Sequence, residues 1–555
     1  MKKILNKVLF ITSWLLISNN FAQVTEEWIA IYNGPGNSND NPTSMAVDDS
    51  GNVYVTGESG SNTSSCITTV KYNSSGVQQW VAKYFDNGNG AADAHSLKLD
   101  RYRNVYVTGG LCMGSNQNKD IVTLKYNSAG IQQWVTSYHT SNTDGWGCDL
   151  IIDSLCNVYV TGSGNMTSDS SDFITIKYNP AGIQQWAAIY NGPTGYIDFA
   201  SKILGDGYGN LYVKGISWVT PLFFEYTIVK YNNNGVQQWV VRQFGSDNTS
   251  YYHGGLTLDR FGNIYMAASI GAAGMQCYLT AKYNSSGNIQ WMTIYNLNGL
   301  PSNCETSAIV LDFRGNVYVT GYSYIPANLP LQGCTTIKYN SEGAQQWVKI
   351  YNGNNYTAAG TKIAVDSEGS IYVLGNVDNG GSAGYDYFTL KYDSLGTQQW
   401  LKMYNGPGGN TDIPTSIIVD NFKNVYVTGR CGGSSSSTDF ATIKYSQPIG
   451  IKSVSTEIPV GFKLYQNYPN PFNPNTKIRF EVPAPNLTLS GAKGLLVKLR
   501  VFDILGREIE VLVNEQLMSG TYETEWNASN YTSGVYFYIL TAGKYTETKR
   551  MILLK

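Results

Sequence analysis

Eight times along the chain one short phrase returns, and its spacing limits the fold more than any other feature does. It reads Asn52-Val53-Tyr54-Val55-Thr56-Gly57 and recurs at 104–109, 157–162, 316–321 and 424–429. Looser copies stand at 210–215, 263–268 and 370–375. The phrase tyrosines are Tyr54, Tyr106, Tyr159, Tyr212, Tyr265, Tyr318, Tyr372 and Tyr426, a step of 52 to 54 residues. A period near fifty residues marks a propeller or solenoid, in which each unit buries its apolar faces against its neighbours.

Each unit reads as four strands. In the second copy they are Ser96–Asp100, Asn104–Thr108, Ile121–Tyr126 and Gln132–Tyr138, rich in Val, Ile, Leu, Thr and Tyr. Asp100-Arg-Tyr-Arg-Asn104 joins the first pair and Asn127-Ser-Ala-Gly130 the second pair. Asp, Asn, Ser and Gly suit such tight turns because they bond nearby backbone or accept positive φ. The ends of the array are out of phase. A tryptophan strand closes each of the first seven units (Trp80, Trp134, Trp186, Trp239, Trp291, Trp347, Trp400), but the eighth stops at Lys444-Tyr445. The missing tryptophan strand stands at the other end, in Glu27-Trp28-Ile-Ala-Ile-Tyr32. The expected fold is therefore all-β, an eight-bladed β-propeller with four-stranded blades of about 53 residues, closed by its N-terminal strand. The phrase, together with Asp-x-x-Gly-Asn and Lys-Tyr-Asn-x-x-Gly-x-Gln-Gln-Trp, resembles the SBBP family of bacterial β-propeller repeats over residues 28–445. That resemblance implies an architecture and no particular reaction.

Composition agrees with a turn-rich β protein: 58 Gly and 42 Tyr, with only 14% charged residues. Residues 1–22 have the form of a secretory signal. Lys2, Lys3 and Lys7 precede an apolar run, and Ala22 stands before an expected cut at Gln23. Without those lysines the balance is 35 basic to 40 acidic residues, which offers no footprint for nucleic acid. None of the eight cysteines forms a CxxC or Cys/His cluster, so no zinc site is indicated. In an exported chain, Cys304 with Cys334 and Cys148 with Cys156 are candidate disulfide pairs, small buried hydrophobic residues being the other reading.

After Tyr445 the period ends. Residues 1–22 are thus expected as the signal, 23–445 as the propeller, 446–460 as a linker and 461–555 as a small Ig-like β-sandwich. Strands are expected at Thr476–Val482, Leu496–Asp503, Thr521–Trp526, Gly534–Leu540 and Thr546–Leu554. The last domain opens with Tyr465-Gln-Asn467-Tyr468-Pro469-Asn470-Pro471-Phe472. It continues with Leu505-Gly506-Arg507, Ser533-Gly534-Val-Tyr536 and a terminal Lys549 to Lys555. This series resembles the type IX (Por) secretion C-terminal sorting domain, type A. The resemblance implies an outer-membrane translocon and a sorting peptidase as partners, with release or attachment to surface lipopolysaccharide afterwards.

Chemistry is harder to find. His95, His139 and His253 fall in different units, so no histidine triad or metal set is visible. One aspartate per unit, from Asp48 to Asp420, precedes the first turn and reads as scaffold. A less regular acidic set (Asp40, Asp93, Asp144, Asp198, Glu305, Asp412) precedes the innermost strands and could rim the channel mouth. No cofactor is called for; calcium on that rim is the one ion the pattern would admit. The fourth unit breaks the phrase with Lys214-Gly215 and runs on to Trp218, Phe223 and Phe224. Trp146, Tyr252 and His253 add unmatched side chains in adjoining units. Aromatics on a variable-loop face suit glycan or protein recognition. The leading reading is a secreted or cell-surface, non-catalytic binding or adhesion propeller. A polysaccharide-active glycosidase or lyase and a passive surface coat are the alternatives. The enzyme version needs two converging carboxylates, and no unique pair stands out.

Overall fold

The computed structural model describes residues 24–555 apart from 35–37, 61–64, 86–90, 113–117, 141–143, 166–170, 222, 246–253, 273–274, 297–303, 325–331, 354–355, 379, 381–383, 434–436, 448–451, 456–457, 485–494, 518 and 530. The expected signal, with Ala22 and Gln23, lies outside the described residues. So do Tyr252 and His253. All regular structure among the described residues is antiparallel β, in ten four-stranded sheets. Two compact bodies divide it: one spans Thr25–Ser446, the other contains Gln447–Lys555.

In the first body, seven sheets are simple meanders of four consecutive strands, as in Ala92–Leu99, Val105–Cys112, Lys119–Tyr126 and Gln132–Tyr138. They are the blades of a β-propeller. The remaining sheet joins Ile413–Val419, Val425–Gly432 and Thr438–Ser446 to Thr25–Tyr32, the first strand among the described residues. First strands of successive blades lie side by side, and Asp40–Val47 neighbours both Ala92–Leu99 and Ile413–Val419.

This packing explains why the phrase shows no polar alternation. Val53, Tyr54, Val55 and Thr56 are all fully buried, because the second strand of a blade is covered on both faces by the blades beside it. The closing glycine answers a close approach. The first strand bulges opposite it, and a Cβ on Gly57 would stand 2.1 Å from the Asn41 carbonyl oxygen. Blade five carries Ala268 there instead. Its first strand, Gly255–Leu258, is only four residues long and pairs without that bulge.

Tryptophans latch each blade to the next. Trp80 Nε1 donates to the Ser128 carbonyl at 3.2 Å, Trp134 to Pro180 at 3.1 Å and Trp291 to Ser341 at 3.0 Å. Trp28 follows the same rule, donating to Ser74 in blade one at 3.0 Å. Under seven of these rings sits a turn glycine: Gly130 has φ +80°, and a Cβ there would meet Trp80 at 2.6 Å. Glycine is thus required twice over, by backbone conformation and by the indole above it.

No disulfide joins the cysteines. Cys304 and Cys334 lie on strands separated by Val317–Tyr324, hence about 9.6 Å apart by strand spacing. A disulfide needs Cα atoms about 4.4–6.8 Å apart. Cys148 sits at the bulge of a first strand, and Cys156 in the turn beyond it.

In the second body, one sheet orders Lys452–Ser455, Gly520–Asn527, Asn475–Val482 and Lys463–Leu464. The other orders Glu508–Leu517, Leu495–Phe502, Gly534–Ala542 and Tyr545–Leu553. Ile478, Phe480 and Trp526 of the first share a buried core with Val497, Leu499 and Tyr538 of the second. Three strands lie where none was expected, the two-residue Lys463–Leu464 among them. Lys452–Ser455 falls inside the expected linker and pairs with Thr521–Glu523, since an edge strand needs backbone groups more than patterned side chains. Glu508–Leu517 carries three glutamates, which masked its strand character.

Candidate functional site

The aspartate repeated in every blade is fully used by its turn. Asp100 accepts the N–H groups of Tyr102 and Asn104 at 2.8 and 2.9 Å, the Asn104 side-chain amide at 2.7 Å and the Tyr106 hydroxyl at 3.1 Å. Burial first, then this carboxylate, pushes the Tyr106 phenol up. The phrase lysine is equally local: Lys125 Nζ lies 5.0 Å over the Tyr106 ring.

The irregular acids are also bonded within their own surroundings. Asp40, Asp198 and Asp412 each accept an N–H from the glycine of the preceding Asn-Gly-Pro loop: Gly34 at 2.5 Å, Gly192 at 2.6 Å and Gly406 at 2.6 Å. All three are fully buried. Burial pushes their carboxyls up, Asp198 to about 6, with the charge of neighbouring Asp172 adding to the effect. Asp172 in blade three is itself raised to about 6 by burial. Asp144 accepts the Lys119 N–H at 2.8 Å, and the Tyr322 hydroxyl donates to Glu305. Asp93 takes the Gly110 N–H at 3.1 Å and Lys119 Nζ at 2.8 Å. Burial raises the Asp93 carboxyl, but His95 and Lys119 outweigh it and hold it below its ordinary value. These groups therefore brace loops one by one. Among the described residues no three His, Cys, Asp or Glu side chains form a set able to hold a metal ion.

The aromatic candidates divide. Phe224 is buried, 5.8 Å from the Trp218 ring and 5.3 Å from Tyr226, so it belongs to the core. Trp146 leans on blade two: a Cβ on Gly110 would meet its Cδ1 at 3.0 Å. Phe223 is 51% exposed. It stands on a lengthened hairpin, Leu211–Thr220 with Phe223–Tyr231, where Thr220 pairs with Phe223. The Trp218 N–H bonds the Ile197 carbonyl at 3.1 Å, and Glu225 pairs with Phe244. Phe223 and Phe244, the latter 77% exposed, therefore share one face of blade four, whereas Trp218 packs against Phe224 on the other. Ile197 and Phe244 escape a search for unusual residues because neither breaks the repeat by itself.

A second feature was missed at the centre. A cavity of about 430 Å³ is lined by the innermost strand of each sheet of the first body, with Lys214 from a second strand. The residue paired with the phrase threonine, or its replacement, is Ser44, Ser96 and Ser416 in three blades and Gly255 and Ala308 in two. In the other three it is Asp149, Lys202 and Lys362. Lys98 and Lys214 join them in the lining. Asp149 accepts the Ser96 hydroxyl at 2.7 Å and meets Lys202 Nζ at 3.1 Å. Burial raises its carboxyl, yet the charges of Lys202 and Lys98 win and hold it low. Water reaches Lys362, but channel walls surround it. Enclosure, helped by the Lys202 charge, pushes its ammonium down against the pull of Asp149. Lys214 is 3% exposed and pushed down to about 8 by burial. Its ammonium lies 5.3 Å from the Tyr226 ring and meets no carboxylate or hydrogen-bond acceptor among the described residues.

The second body brings its sequence marks together. The Asn467 N–H donates to the Tyr538 hydroxyl at 2.9 Å, which donates to the Tyr465 carbonyl at 2.9 Å. Tyr468-Pro469 and Asn470-Pro471 are cis. Phe472 is buried and exchanges backbone bonds with Ile552 and Leu554 of the last strand. The turn at Gly506 and the segment from Ser533 through Gly534 to Tyr536 line one cavity of about 470 Å³. Ile504 and Leu505 of that turn are more than 70% exposed, at 71% and 73%. The Lys555 backbone N–H bonds the Ser533 hydroxyl at 2.9 Å.

Comparisons with known proteins agree with both bodies. Residues 466–554 match the secretion system C-terminal sorting domain, and residues 27–62 match the β-propeller repeat. Over 390 residues the chain is 23% identical to an uncharacterized WD repeat-containing protein, L264, of Acanthamoeba polyphaga mimivirus; the match covers 55% of this chain and 25% of that protein. The chain therefore spans about a quarter of that relative's length. Among solved structures, Chaetomium thermophilum Sqt1 bound to the N-terminus of ribosomal protein L10 is 9% identical with a TM-score of 0.47, covering 76% of this chain and 100% of that one. A fungal alcohol oxidase of the AA5 family in complex with copper is 12% identical with a TM-score of 0.40, covering 97% and 100%. The chain carries a β-propeller repeat of the SBBP type and a type IX secretion C-terminal sorting domain, which directs export to the cell surface or the extracellular space.

Proposed function

We propose that this is an exported, non-catalytic binding protein whose propeller meets a glycan or protein ligand at the loop edge of blade four. The observation that carries the reading is the exposed pair Phe223 and Phe244, on one face of a hairpin longer than that of most other blades. Half-exposed aromatics on a rigid sheet edge lose little entropy on binding. The scaffold in this reading is an eight-bladed ring closed by its N-terminal strand, supported by the Thr25–Tyr32 pairing and the Trp28 latch. Residues 1–22 serve as the signal, cut between Ala22 and Gln23. Residues 461–555, an Ig-like sandwich, form the part read by the translocon and removed by the sorting peptidase. The groove between the Gly506 turn and Gly534–Tyr536 is where that reading takes place. Release or attachment to lipopolysaccharide follows.

A glycan and surface-protein array tests the ligand. The double change Phe223→Ser and Phe244→Ser should weaken binding about tenfold or more and leave the melting temperature within a degree or two. Binding that survives the double change would place the ligand elsewhere. Release of reducing sugar from a bound polysaccharide would sink the non-catalytic reading.

A further inference from the structure

We infer that the central channel is a binding site for a small, doubly charged tetrahedral oxyanion, phosphate or sulfate, either free or carried as an ester on a small sugar. The reading does not rest on the blade-four edge. Four ammonium groups, Lys98, Lys202, Lys214 and Lys362, come from three blades to one cavity in which Asp149 is the only lining carboxylate among the described residues. Asp149 is already committed to Ser96 and Lys202, which leaves the cationic charge in excess. His95 and the hydroxyls of Ser44, Ser201, Ser307, Ser416, Thr43 and Thr415 add to the polar lining. Ammonium and hydroxyl donors converging on one volume match an acceptor-only anion with several oxygens.

Lys214 is the second, independent observation. In five other blades its position holds a threonine that bonds the third strand, as Thr428 does with the Ala441 carbonyl at 2.8 Å, and in two it holds the apolar Ala267 and Leu374. Blade four gives up that bond and places in the wall a buried ammonium with nothing anionic beside it. A buried charge without a partner is destabilising, so a bound dianion completes the arrangement. The Lys202 and Lys214 strands are paired at those residues, so both cations belong to one wall, with Lys362 on blade seven. A volume of about 430 Å³ takes an oxyanion with its water, or one sulfated or phosphorylated monosaccharide, but no folded partner.

Calorimetric titration of the full chain tests this, with sodium sulfate, potassium phosphate, galactose 6-sulfate and galactose, each against sodium chloride at equal ionic strength. Saturable binding of sulfate or phosphate, absent with chloride and galactose, is expected. Tighter binding of galactose 6-sulfate than of sulfate would assign the sugar ester; equal or weaker binding would assign the free ion. The triple change Lys202→Ser, Lys214→Thr and Lys362→Ser installs residues that other blades carry at those registers, so folding is retained. It should weaken binding about a hundredfold. Lys402→Ser, on an outermost strand, should leave binding unchanged. No anion-selective heat in the wild type, equal binding by the triple variant, or equal weakening by Lys402→Ser would each overturn the assignment.

Discussion

The outer belt of the propeller and its central channel are built from the same repeat, yet they diverge in opposite ways. On the belt the same parts return: seven indoles lie over a neighbouring blade's turn glycine, and the turn aspartate gathers four donors, or three at Asp366 where Ser370 replaces the asparagine. Around the channel, one register holds Ser, Asp, Lys, Gly and Ala in different blades. Repetition follows the shared mechanical duty of joining blade to blade. The channel wall has no such duty, because water or a ligand stands where the next layer of packing would be. Its residues are free to differ.

The contrast can be broken at its strongest point first. Asp100→Ala removes the acceptor for two turn amides and leaves the buried Tyr106 hydroxyl and Asn104 amide unmet. A loss of about 3 kcal/mol is expected in urea unfolding. A loss below about 1 kcal/mol would mean that the repeated turns are not what holds the blades.

Between belt and channel lies the blade three–four interface, where Asp172 is buried with neither carboxyl oxygen hydrogen-bonded among the described residues. Its folded value, about 6, is raised above the ordinary 3.8 by burial. A raised acid favours the fold while protonated, so its contribution is complete below about pH 4 and is lost as pH rises through about 6. Asp172→Asn should therefore add about 2 kcal/mol at pH 7, add nothing at pH 4, and flatten the melting profile between them. A variant that is less stable at pH 7 would show that the carboxylate has a cationic or donor partner. The smallest effect belongs to the loop edge. Phe244→Ser alone should change unfolding free energy by less than about 0.5 kcal/mol, and a drop above about 2 would convert that edge from ligand face to core.

The belt was legible because each of its parts is local. Asp-x-x-x-Asn, Asn-x-x-Gly and the tryptophan recur at fixed offsets, and the hydrogen bonds of Asp100 and Asn127 close within six residues. The sorting domain was legible in the same way, through motifs whose backbone geometry is set by Pro and Gly. Less of the candidate site could be read. Lys214 showed as a break in the phrase, but Lys202 and Lys362 lie in first strands, where sequence varies and no phrase marks the register. Asp40, Asp198 and Asp412 looked like a shared rim, yet each turns back on a glycine six residues earlier. Phe223 and Phe224 are adjacent in sequence and opposite in fate, since successive side chains of a strand face opposite ways.

By itself the sequence determined the period, the four-stranded unit, the tryptophan latch and the secretion address, because these depend on interactions within one unit or between successive ones. Only the tertiary structure decided that Lys98, Lys202, Lys214 and Lys362, as far as 264 residues apart, share a single cavity. Charge adds through space and not along the chain, so four scattered lysines became a site only when the first strands of the blades were drawn around one centre.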